Sequence, residues 1–100
     1  MILLNTTFHV EKSIEKDFIN WVKTTYIPVA LSSGIVKDAL FTRILAESEG
    51  GTAYAVQFKS IDIATAEQWH DTDAQKLKSD ISQRWGQRIL YFSTYMDIID

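Results

Sequence analysis

The stretch that decides the fold runs Ala39-Leu40-Phe41-Thr42-Arg43-Ile44-Leu45-Ala46-Glu47, then Ser48-Glu49-Gly50-Gly51, then Thr52-Ala53-Tyr54-Ala55-Val56-Gln57-Phe58-Lys59. Both flanks are β-rich, and they bracket a short polar break with two glycines, which reads as a β-hairpin. In the second flank the large Tyr54, Val56 and Phe58 alternate with Ala53, Ala55 and Gln57. That period of two belongs to a strand with one buried face.

Moving outward from the hairpin, the pattern changes to helical on both sides. Towards the C-terminus, Thr65-Ala66-Glu67-Gln68 matches a capping box, and a second box at Thr72-Asp73-Ala74-Gln75 predicts a break near Asp71. Ala74, Leu77, Lys78, Ile81 and Trp85 share one stripe, Gly86 ends it, and Arg88–Met96 reads as a last strand. Towards the N-terminus, Ser13 is the expected N-cap, with Glu15 and Asp17 in the first turn, where the helix dipole favours acids. Ile14, Phe18, Trp21, Val22 and Thr25 follow helical spacing, Pro28 predicts a kink or a fresh turn, and Gly34 is the stop. In residues 2–10, Ile2, Leu4, Thr6, Phe8 and Val10 fall on one side of a strand, and Leu3, Asn5, Thr7 and His9 on the other.

The resulting expectation is strands at 2–10, 39–47, 52–60 and 88–97 and helices at 13–33 and 65–85. The order β-α-β-β-α-β specifies an α+β, ferredoxin-like domain spanning 1–100, with a four-stranded antiparallel sheet and both helices on one face. The first and last strands are expected at its centre. The open face should carry Leu3, Asn5, Thr7 and His9, then Phe41, Arg43 and Leu45, then Ala53, Ala55 and Gln57, and one side of the last strand. That mixture is too apolar for water and too polar for a core, so a second copy laid face to face is the expected cover.

Composition removes several function classes. The 100 residues are 46% hydrophobic and carry a net charge of −3, which fits a folded domain. Lys and Arg cluster nowhere beyond Arg84–Arg88, so nucleic acid is not an expected partner. The absence of Cys excludes disulfides, zinc-thiolate sites and thiol nucleophiles. No apolar run approaches the ~18 residues of a membrane span, so no membrane partner is expected. Met-Ile-Leu-Leu is too short and lacks the basic region of a signal peptide, which makes the cytoplasm the expected compartment.

Three features resemble the dimeric α/β-barrel superfamily: the stretch Trp21-Val22-Lys23-Thr24-Thr25-Tyr26-Ile27-Pro28, the Gly50-Gly51 hairpin and the Trp69-His70 pair. Almost the whole chain further resembles a bacterial family of that superfamily known as a domain of unknown function. Asn5-Thr6-Thr7-Phe8-His9-Val10, Tyr26-Ile27-Pro28, Gly50-Gly51-Thr52-Ala53-Tyr54-Ala55-Val56-Gln57-Phe58 and Trp85-Gly86-Gln87-Arg88 carry that likeness. It implies a homodimer and brings no activity with it.

Strand parity puts Asn5, Thr7, His9, Arg43 and Gln57 on the open face, where two copies would enclose them. A few polar groups in an apolar-walled cavity suit a small ligand. Arg43 could hold a carboxylate and His9 could act as acid or base, so an anionic or carbonyl-bearing ligand is expected. The same residues could also form an inert polar layer in a dimer interface, since polar interface residues are routine. In monooxygenase-like and haem-degrading relatives, the resemblance implies an Asn on the first strand working with a Trp and a His. Asn5, Trp69 and His70 supply those types, although adjacent helical residues point about 100° apart. Tyr26 precedes Ile27-Pro28, where some relatives place a His, and is expected to pack, with its hydroxyl at a rim. Gly50-Gly51 lacks the Lys-Ser/Thr of a phosphate loop, and two isolated His residues make no metal site. No cofactor is expected. The first reading is a small-molecule-binding homodimer. The alternatives are a cofactor-independent oxygenase or isomerase, and a structural or partner-interaction module.

Overall fold

Four strands form one antiparallel sheet in a computed structural model that describes residues 1–46 and 50–100. The strands are β1 (Ile2–Glu11), β2 (Lys37–Arg43), β3 (Gly51–Ser60) and β4 (Ile89–Asp97), ordered β2-β3-β1-β4. The Ser48-Glu49 part of the expected hairpin turn, and the expected strand end at Glu47, lie outside the described residues.

The centre of the sheet is β1 and β3, which corrects the expectation that the first and last strands lie there. Each β-α-β crossover skips one position, and the opening strand of the other unit fills the gap. The two opening strands therefore end up inside, and β2 and β4 become edges.

The first helical region is continuous but not uniform. It comprises α1 (Glu15–Trp21), a π-helical turn over Val22–Tyr26 and α2 (Ile27–Ser32). Pro28, at the start of α2, has no N–H to give the preceding turn. The ladder widens just before it, and the Ile27 N–H reaches back five residues to the Val22 carbonyl. The expected irregularity at Pro28 is therefore a π-turn upstream of the proline. Gly34, at φ +73°, ends the region as expected. Ser13 does not cap it, because its hydroxyl donates to Glu11 Oε1 at 2.9 Å.

The second helical region begins two residues before the expected box. Asp62 caps α3 (Ile63–Asp71), its carboxylate accepting from the Thr65 N–H at 2.8 Å, and hydrogen bonds from the Thr65 hydroxyl and N–H together hold its pKa below the usual value. A break at Thr72 separates α3 from α4 (Asp73–Trp85), close to where the second box placed it.

The core lies between one sheet face and the helices. The even-numbered residues Leu4, Phe8 and Val10 of β1 and Tyr54, Val56 and Phe58 of β3 meet Phe18, Trp21, Val22, Trp69, Leu77 and Ile81 there. Phe18 is fully buried, with ring centroids of Phe8, Tyr54, Trp85 and Phe41 at 5.2, 5.6, 6.1 and 6.2 Å. Burying one such ring contributes about 1.5–3 kcal/mol, and each well-oriented aromatic pair about 0.5–1.5 kcal/mol more. This aromatic cluster fixes the phase of the edge strand β2. Phe41 opposes Val56 and Arg43 opposes Tyr54, so both turn to the helix side, while Leu40 and Thr42 take the open face. A register shift between Lys37 and Leu40, with Asp38 at φ +54°, sets that phase.

Candidate functional site

The open face has a definite distribution of size and polarity. Its edges are bulky and apolar. On β4, Leu90 and Phe92 are each 63% exposed and Met96 is 38% exposed; on the β2 side, Leu40 is 55% exposed. Between Leu3 and Glu11 its centre is small or polar. Asn5, Thr7 and His9 on β1 lie opposite Gln57, Ala55 and Ala53 on β3. Gln57 Nε2 donates to Asn5 Oδ1 at 3.2 Å, and Asn5 Nδ2 donates to Thr7 Oγ1 at 3.1 Å. The three side chains form a relay of amide and hydroxyl groups across the two central strands.

Four of the five expected ligand residues, Asn5, Thr7, His9 and Gln57, therefore share one face. The fifth does not. Arg43 lies on the helix side, with its guanidinium 5.6 Å from the Tyr54 ring centre, and a hydrogen bond to the Tyr54 hydroxyl raises its pKa further. Opposed residues of an antiparallel pair share a face, and the preference of Phe41 for the core decides the parity of β2. The same phase takes Phe41 off the open face and leaves Leu45 beyond the strand at 93% exposure. Thr42 and Thr94, by contrast, do join the open face, opposite Ala55 and Asn5. At one end of the face Lys59 pairs with Asp38 at 3.8 Å, and Glu11 closes β1 at the other.

His9 lies beside the close approach of β1 and β3. A Cβ on Gly51 would stand 3.1 Å from His9 Cε1 and would overlap the Val10 carbonyl. Glycine at 51 is thus a condition of the pairing next to His9.

Asn5, Trp69 and His70 do not assemble. Trp69 is buried on the helix side, edge-on to Phe58 at 5.4 Å, with its Nε1 unpaired. The sheet separates it from Asn5. Tyr26 is a core residue, as expected, but its hydroxyl is not at a rim. The ring stacks on Phe58 at 6.0 Å, and the hydroxyl bonds Thr6, whose own hydroxyl meets Ser93 Oγ at 2.9 Å. Burial pushes the Tyr26 pKa up to about 12, so it is no base at neutral pH.

His70 is part of a cluster that the sequence did not announce as one. Lys78 Nζ lies 2.7 Å from His70 Nε2, and His70 Nδ1 lies 3.3 Å from Asp71 Oδ1. The His70 ring stands edge-on to Tyr95 at 6.0 Å, and Lys78 Nζ sits 5.5 Å from the Tyr91 ring centre. Desolvation lowers the Lys78 pKa and raises that of Tyr95. Elsewhere, an open groove of about 450 Å³ between the helices is lined by Asp17, Asn20, Thr24 and Arg84. Trp21 and Arg84 on its wall are already tied to Asp80, both at 2.9 Å. Among the described residues no group of acidic or His side chains could hold a metal ion, and no helix is long and apolar enough to cross a membrane.

With this geometry in view, the model of a family described as "Domain of unknown function (DUF4286)" matches residues 1–99. No curated protein matches the chain. Among solved structures, HapK from Hahella chejuensis aligns with a TM-score of 0.76 at 13% identity, over 99% of this chain and 93% of its own. A candidate antibiotic biosynthesis monooxygenase from Deinococcus radiodurans aligns at 0.71 and 7% identity, over 100% and 94%. A dimeric ferredoxin-like protein from an uncultured marine organism aligns at 0.69 and 12% identity, over 99% and 95%. Likeness at these identities establishes the ferredoxin-like fold.

Proposed function

We propose, from the premise that this chain belongs to the DUF4286 family, that it is a homodimer closed sheet to sheet around a small-molecule pocket. The observation that carries this reading is the distribution on the open face: large apolar side chains at both edges, small and polar ones in the middle. When two such faces meet, the edge residues make contact first. Ala53 and Ala55 leave room between them, bordered by the Gln57–Asn5–Thr7 relay. The dimeric state of a structural neighbour supports a homodimer.

The polar groups set the ligand class. With Arg43 on the other side of the sheet, the basis for an anionic ligand is gone. The relay offers amide and hydroxyl donors and acceptors, so the fitting ligand is small, uncharged and carbonyl- or hydroxyl-bearing. A buried polar group left without a partner costs about 1–3 kcal/mol, which favours a ligand that completes these bonds.

A thermal-shift screen tests this. Neutral aromatic ketones, quinones and amides should raise the melting temperature of the wild type, and carboxylates of the same size should not. Asn5→Ala and Gln57→Ala should abolish the shift while leaving the protein dimeric. Carbonyl compounds that stabilise the variants as well as the wild type would overturn the pocket, as would a screen in which only carboxylates act.

A second reading rests on His9. An imidazole is the one group in this row able to take and return a proton, so the pocket could serve a cofactor-independent oxygenase or isomerase. Turnover of a bound conjugated carbonyl compound, lost in His9→Ala with binding retained, would establish it. A pocket filled by side chains would leave the interaction module.

A further inference from the structure

The Lys78–His70–Asp71 cluster lies on the helix side of the sheet, apart from the proposed pocket. An amine nucleophile needs a proton acceptor in hydrogen-bond reach, and the acceptor needs a third group to orient it. Lys78 Nζ is 2.7 Å from His70 Nε2. An ammonium has only donors, so Nε2 is the acceptor and the imidazole proton sits on Nδ1. From there it donates to Asp71 Oδ1 at 3.3 Å, which fixes the tautomer and stabilises the imidazolium that forms when the ring takes a proton. Gln75 Nε2 donates to the His70 carbonyl at 2.8 Å and ties the α3 end to α4. Tyr91 and Tyr95 wall the pair, so Lys78 is half-buried yet reachable from solvent.

We propose that Lys78 is an acylation site, its amine activated by His70, which Asp71 orients, towards small activated acyl donors of the acyl-phosphate class. His70 takes one proton from the ammonium and releases it to water. The neutral nitrogen attacks the acyl carbonyl carbon and forms the new C–N bond. The C–O bond to phosphate breaks, and the phosphate leaves with the electron pair. The second amine proton passes through His70 to that phosphate. The products are the Lys78 amide, hydrogen phosphate and one solvent proton. Desolvation beside the tyrosines lowers the Lys78 pKa and works in the same direction.

The test exposes the full chain to acetyl phosphate at slightly alkaline pH and follows each lysine by peptide mass spectrometry. Lys76, exposed on the same helix, is the comparison; the exposed Lys16 and Lys23 on the other helical region control for reagent, and far-UV circular dichroism reports on the fold. A positioned base contributes about 10²–10⁴-fold in general, so Lys78 should acetylate at least about tenfold faster than Lys76. His70→Gln, which keeps a hydrogen-bond acceptor but not a base, should bring Lys78 to within about twofold of Lys76. Asp71→Asn should slow Lys78 in the same direction, with Lys16 and Lys23 unchanged in both variants. A Lys78 rate less than tenfold above that of Lys76 would overturn the proposal. So would a Lys78 rate that His70→Gln leaves fast.

Discussion

Replacing Phe92 by Glu should take the dimer apart without unfolding the chain. Phe92 lies on the open face opposite Thr7 and is 63% exposed in the single chain. A Phe side chain buries about 200 Å² when fully covered, so about 125 Å² remains for a second copy to cover. At ~25 cal/mol per Å² that is about 3 kcal/mol for each copy, and a symmetric interface counts it twice, about 6 kcal/mol. The dissociation constant should rise by about 10⁴-fold on full burial, and by about 100-fold if only half of that area is covered. A carboxylate pressed against Leu90 and Met96 adds a desolvation cost in the same direction. The assay is sedimentation velocity over a concentration series, with far-UV circular dichroism on the same samples. The variant should show the unfolding-free spectrum of the wild type and a mass near the 11.4 kDa chain at concentrations where the wild type is paired. A variant that dimerises as tightly as the wild type would show that Phe92 is not in the interface.

Gly51→Ala should destabilise, because its Cβ would run into the Val10 carbonyl backbone, which cannot swing away as a side chain can. Overpacking of this kind costs about 1–3 kcal/mol, and thermal melting should fall by about 5–20 °C. A melt within about 2 °C of wild type would show that the strands do not require glycine at position 51. Stability should also fall with alkaline pH through Tyr26. Its folded pKa, raised to about 12, lies above the ordinary value near 10, so the neutral hydroxyl favours the native state below pH 10, and the contribution is lost as pH rises from 10 through 12. The loss is about 3 kcal/mol, and denaturant midpoints of Tyr26→Phe should decline less steeply than wild type over that interval. Equal slopes would count against it. Arg43→Ala should leave both dimer mass and carbonyl-ligand shifts unchanged, since the guanidinium lies on the helix side. Loss of either in that variant would return Arg43 to the pocket.

The strand and helix order was legible because the hairpin and the periodic segments agree, each on its own evidence. Parity on β1 was legible because Phe8 and Val10 leave one choice of buried side. Parity on β2 was not, since Leu40, Phe41, Ile44 and Leu45 supply apolar residues to both sides. Only the aromatic packing of Phe18, Phe41 and Tyr54 selects one, after a register shift that no local pattern encodes. The strand order was lost for a related reason: intercalation of two β-α-β units is a tertiary event. The Lys78–His70 pair left a partial signal, a lysine on an otherwise apolar stripe. Its partner sits across the α3–α4 break at Thr72, so helical spacing could not connect the two.

Two copies that meet through the edges of their sheets should leave space at the centre. Isotope-filtered NOE spectroscopy on a mixed labelled and unlabelled sample tests it most directly. Intermolecular NOEs are expected at Leu40, Leu90, the Phe92 ring and the Met96 methyl, with the Ala53 and Ala55 methyls silent between copies. Intermolecular NOEs from the helix-layer residues Val29 and Leu31, or strong ones from Ala53 and Ala55, would contradict it.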